Sequence, residues 1–144
     1  MNENTEIVPQ VNATELATNN SGMICTINTG TMQDRVTVYN ALNNAQSLTQ
    51  AKDDVIQVAN IILMPGVRKG RNGQADAECV NTYLIDTEDN AWFTQSDGIA
   101  RSANSLITMF FNAGLVSKDN PLSIKVVSQE LSNGNTIKSL ALDM

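Results

Sequence analysis

From residue 23 to residue 142 the chain alternates short runs rich in β-branched residues with polar turns, and only one interval breaks that rhythm. Runs of this length, punctuated by Gly, Asn, Asp and Ser, make strands and hairpins, so the fold expected is mainly sheet. Residues 23–28 and 35–42 (Arg-Val-Thr-Val-Tyr-Asn-Ala-Leu) flank Thr29-Gly30-Thr31-Met32-Gln33-Asp34 and are predicted to form a hairpin. Alternation along the second run places Val36, Val38 and Asn40 on one face, with Arg35, Thr37, Tyr39 and Ala41 on the other. The Arg-Thr-Tyr face is too polar for a core.

Residues 54–64 carry Val55, Ile56, Val58, Ile61, Ile62 and Leu63 and read as a central strand closed by Pro65-Gly66. Residues 67–78 have no apolar period and form a loop, after which residues 79–86 and 91–96 face each other across Thr87-Glu88-Asp89-Asn90. The exceptional interval follows. Ser96 is placed to cap a helix whose apolar positions, Ile99, Ala103, Leu106, Ile107, Phe110 and Phe111, recur at three and four until Gly114. Residues 122–131 and 136–142 close the chain as a hairpin around Ser132-Asn133-Gly134-Asn135, since Asn-Gly supplies the positive φ of a tight turn.

The order is about six strands with one helix inserted before the last two, and no internal repeat divides it. A mainly β fold, an OB-type antiparallel barrel of about five to six strands with one α-helix, accounts for this order and hides the strand edges. Residues 1–22, rich in Asn, Thr and Glu, bury too little apolar surface to order themselves and are expected to be a flexible acidic arm. Residues 23–144 then form a single domain.

The bulk composition mostly excludes. There is no histidine, the commonest general base and metal ligand, and the two cysteines, Cys25 and Cys79, lack metal-binding spacing. Neither an enzyme, a metal site nor a cofactor is expected, and Gly66, Gly70 and Gly73 match no phosphate-binding fingerprint. The carboxylates Asp53, Asp54, Asp76, Glu78, Asp86, Glu88 and Asp89 fall in turns and loops and read as solvated charge. No apolar run is long enough to span a bilayer, and the start of the chain is not that of a secretory signal, so a cytosolic protein is expected.

A net charge of −6 weighs against a phosphate-bearing partner, but Arg68, Lys69 and Arg71 are clustered. Binding unpaired nucleic acid without reading its sequence needs cations along the phosphates and flat rings under the bases. The cation candidates are Arg35, Lys52, Arg68, Lys69, Arg71, Lys125 and Lys138, and the ring candidates are Tyr39, Tyr83, Trp92 and Phe93, with Thr37 beside Tyr39. Trp92 and Phe93 are adjacent on a strand, so one should be core and the other exposed.

Three stretches then point to a family: Val-Thr-Val-Tyr-Asn-Ala at 36–41, Asp-Gly-Ile-Ala-Arg-Ser-Ala-Asn-Ser-Leu-Ile at 97–107, and Leu-Ser-Ile-Lys-Val-Val-Ser at 122–128 followed by Gly-Asn-Thr-Ile-Lys-Ser-Leu-Ala-Leu at 134–142. In this order they resemble the small single-stranded DNA-binding proteins of phages, notably those serving protein-primed replication. The resemblance implies an OB-like fold and a protein of the infected host cell's cytoplasm that coats and protects displaced single strands, with replication proteins as further partners. It also implies stacking by aromatic residues at Tyr39 and Phe93. The acidic leader, the single tryptophan and the longer basic loop depart from that pattern, and no Pro/Gly-rich acidic tail of the kind that recruits partners is seen. The competing expectation is a non-catalytic protein-interaction module, a phage assembly or inhibitor protein with an acidic barrel surface.

Overall fold

The apolar run that begins at Val55 is the spine of the fold. In the computed structural model, which describes residues 23–27, 30–51 and 54–143, this run is β3 (Val55–Arg68), and strands lie on both of its edges. Before it come β1 (Ile24–Cys25), helix α1 (Met32–Asn44), β2 (Gln46–Ser47) and a short 3₁₀ turn (Leu48–Ala51). After it come β4 (Ala77–Asp86), β5 (Ala91–Thr94), helix α2 (Asp97–Leu106), a π-type turn (Ile107–Phe111), β6 (Leu122–Glu130) and β7 (Thr136–Leu142). All seven strands join one sheet in the order β2-β5-β4-β3-β6-β7, with β1 added on β3, and the sheet curls into a half barrel. The mainly β, OB-like expectation holds.

β3 is shared between partners along its length: Val55–Val58 pair with β6, while Val58–Arg68 pair with β4. Between these stretches a bulge at Val58/Asn60 inserts an extra residue, so the inward positions change from Ile56 and Val58 to Ile61 and Leu63. Thr26 secures the bulge, since its hydroxyl accepts from the Ile61 N–H at 2.9 Å and donates to Asn60 Oδ1 at 2.8 Å.

Both faces of the central strands are covered, which is why β3 reads as a continuous apolar run. On the concave face Val58, Ile61, Leu63 and Leu84 pack with Ile99, Ala103 and Ile107 from α2 and its extension, and with Leu122 and Ile124 of β6. On the convex face Ile62, Tyr83 and Ile85 pack under Val38 and Ala41 of α1.

The second helix corrects the expectation of one helix, and it overturns the predicted strand at residues 35–42 together with its hairpin. Thr31 caps α1 by accepting from the Asp34 N–H at 3.1 Å, and the Thr37 hydroxyl donates to the Gln33 carbonyl one turn back at 3.1 Å. Val and Thr cost a helix only about 0.7 kcal/mol or less each relative to Ala. Burying a side chain such as Val38 returns about 1.5–3 kcal/mol, so packing on the convex face decides the segment. β1 pairs with β3 instead of with this segment.

Three smaller differences stand beside it. The sheet has seven strands, because the two-residue β2 joins β5, and that pair is parallel where an antiparallel barrel was expected. Pro65-Gly66 does not end β3: Pro65 faces Val80, and beyond Leu63 no described strand covers the other edge, so the missing N–H leaves no ladder bond unmade there. The loop is shortened to residues 69–76. The hairpins β4/β5 and β6/β7 and the helix after Ser96 form where expected, with Ser96 accepting from the Ile99 N–H at 3.3 Å. Residues 1–22, the expected arm, lie outside the described residues.

Candidate nucleic-acid interface

Helix α2 lies against β7 at contact distance. A Cβ on Gly98 would sit 2.0 Å from the Lys138 carbonyl oxygen, so only glycine permits the approach. One turn on, the Ser102 hydroxyl accepts from the Leu140 N–H at 3.1 Å. Docked this way, α2 and the β6/β7 hairpin border an open groove of about 670 Å³. Leu48, Ile99 and Val126 give it an aliphatic floor, Thr49, Thr94 and Ser128 bring hydroxyls, and Lys125 and Lys138 supply its charge. Aliphatic surface, hydroxyls and two ammonium groups suit a sugar-phosphate chain, whereas no aromatic ring lines this groove.

The basic loop is less positive than its sequence suggests. Arg68 ends β3, and its guanidinium donates to the Gln95 carbonyl at 2.6 Å and to Asp97 Oδ1 at 3.3 Å. Lys69 lies 3.6 Å from Asp76, whose other oxygen accepts from the Gly70 N–H at 2.8 Å. Of the three loop cations, only Arg71 has no ion-pair partner among the described residues. Gln95 fastens the base of the loop further, donating from Nε2 to Asn81 Oδ1 at 3.0 Å and to the Val67 carbonyl at 3.2 Å. Gly66 leaves the space that the Asn81 side chain fills.

The proposed strand face Arg35–Thr37–Tyr39 does not exist as such. In a helix, residues four apart share a side, whereas residues two apart diverge. Arg35 and Tyr39 therefore stay together on the outer side of α1 with Met32 and Val36, while Thr37 turns away. Tyr39 is 65% exposed, but α1 covers the convex face and the groove opens on the concave side. The structure therefore separates Tyr39 from Lys125 and Lys138.

Neither Trp92 nor Phe93 is free. They do point to opposite faces, but both are half-buried: Trp92 packs on the concave core and Phe93 on the convex one. The expectation that one of them would be exposed is corrected, because each sheet face has its own helix. Tyr83 is only 7% exposed, with its ring 5.1 Å from that of Phe93, and burial raises the pKa of its phenol. Burial likewise raises that of the Cys25 thiol. Lys52 lies outside the described residues.

Sequence reasoning missed Thr49, Thr94 and Ser128, whose hydroxyls have no signature until strands distant in sequence meet. It also passed over Arg101 on α2. Elsewhere Asp54, Asp86 and Glu88 line a cavity of about 510 Å³ with Trp92, and this acidic surface repels phosphate. Among the described residues no group of three or more His, Cys, Asp or Glu is placed to hold a metal ion, and no helix is long and apolar enough to cross a membrane.

The family model described as phage single-stranded DNA-binding protein matches residues 17–143. No curated protein and no solved structure matches the chain.

Proposed function

The chain belongs to the phage single-stranded DNA-binding protein family, and on that premise we propose that it coats single strands displaced during phage DNA replication, without sequence preference and without turnover, in the host cytoplasm. The observation that carries this reading is the groove in which Lys125 and Lys138 flank an aliphatic floor. The ammonium groups pair with phosphates while sugars and base edges lie over Leu48, Ile99 and Val126. Arg71, at the tip of the β3/β4 hairpin, adds a further phosphate contact.

The test is the anisotropy of a labelled oligo-dT titrated at several salt concentrations. Affinity should fall as salt rises, and replacing both Lys125 and Lys138 by Gln should reduce the log-log slope by about 1.4, or 0.7 for each single-strand phosphate that is no longer neutralised. Absence of binding at low salt, or an unchanged slope in the double variant, would refute the groove as the binding surface.

A second reading has its own observation. Met32, Val36 and Tyr39 leave an exposed apolar stripe on α1, a surface suited to a protein partner such as a replication protein. The two readings predict different losses for substitutions on the two faces.

A further inference from the structure

Arg101 stands one turn after Asp97 on α2, the spacing at which a helical acid and base ordinarily pair. They do not pair here. Asp97 is held instead by Arg68 at 3.3 Å, and Arg101 is left exposed with no ion-pair partner among the described residues. Its side chain borders a second cavity, of about 410 Å³, on the flank of α2 beside Val80 of β4. Val80 and Ala100 give this cavity apolar walls, and Asn104 and Ser105 continue it along the helix. The one carboxylate on its rim, Asp97, is the one that Arg68 neutralises.

The two cavities lie on opposite flanks of the same helix. Ile99 lines the first and Ala100 the second, while Gly98 touches the backbone at Lys138 and Asp97 holds Arg68. The Lys138 backbone and the Arg68–Asp97 pair therefore both lie at the first turn of α2, so the way from the groove to Arg101 crosses a neutralised pair.

We propose that the flank of α2 bearing Arg101 is a second contact site for the same single strand, reached only by strands long enough to pass from the groove over the first turn of α2. The proposal rests on the groove reading above. Phosphate is the recognised chemistry, with Arg101 as its cation and the Arg68–Asp97 pair keeping the approach free of uncompensated negative charge.

The test compares a short oligo-dT of about 4 nucleotides with one of about 16, near the limits of what one OB-type domain holds. Arg101→Gln should leave the short strand's affinity unchanged, weaken the long strand's, and lower the long strand's salt slope by about 0.7. Arg101→Lys should restore the slope, showing that the effect of the Gln variant is one of charge and not of folding. An equal loss on both lengths, or no loss on the long strand, overturns the second site. Failure of the groove reading is separate, since the Lys125/Lys138 double variant would then bind the short strand as tightly as the native chain.

Discussion

At the residue scale, Tyr39 carries the main lesson. Its neighbours alternate valine with polar groups as a strand would, and a strand would place it beside Thr37. In the helix its companion is Arg35 instead, and the pair faces solvent across the sheet from Lys125 and Lys138. A base stacked on an aromatic ring is worth about 1–3 kcal/mol on removal of the ring. Tyr39→Ala should cause no loss of that size in oligo-dT affinity by anisotropy; a loss of that size would move the strand onto α1. The other rings, Tyr83, Trp92 and Phe93, were legible as sheet residues, yet which of them are covered depended on helices arriving from elsewhere in the chain.

At the scale of elements, both hairpins after β3 were legible because their turns carry local chemistry. Asp86 Oδ1 accepts from the Glu88 and Asn90 N–H groups, each at 2.9 Å, and Gly134 takes φ of +86° in the β6/β7 turn. The β3 bulge was not legible, because an apolar run buried on both faces hides a change of parity. The contact of α2 with β7 was equally silent, although Gly98 marks it. Gly98→Ala must push the helix off the Lys138 carbonyl, and should destabilise the protein by about 1–3 kcal/mol. Urea denaturation would register this as a lower midpoint with an unchanged slope, and an unaltered midpoint would show that the contact yields freely.

For the whole molecule, a charge of −6 is compatible with a polyanionic partner because opposite charges are segregated. The groove has two lysines and no acid, whereas Asp54, Asp86 and Glu88 share a separate cavity. The fold also predicts an alkaline limit to stability. Burial raises the folded-state pKa of Cys25 above 9.0 and of Tyr83 above 10.0, so the folded state holds these protons more tightly than the unfolded chain. Their contribution is complete below those unfolded values and is lost as pH rises through the higher folded ones. The denaturation midpoint should therefore fall above about pH 9, less steeply in Tyr83→Phe, while a flat alkaline profile would contradict the assignment.

The sequence by itself determined the sheet-rich class, the two later hairpins, the capped helix after Ser96 and the candidate cations, because propensity, capping and turn chemistry act over a few residues. Only the tertiary structure decided that residues 32–44 are helix, that Asp97 and Asp76 stand beside Arg68 and Lys69, and that Lys125 and Lys138 share a groove while Tyr39 faces elsewhere. Each of these depends on what a distant segment places opposite a side chain: a buried face for Val38, a carboxylate for Arg68, a helix flank for Lys138. In sequence the basic loop is the natural binding element. In the folded chain the surfaces proposed for binding are those around α2, where Lys125 and Lys138 share a groove.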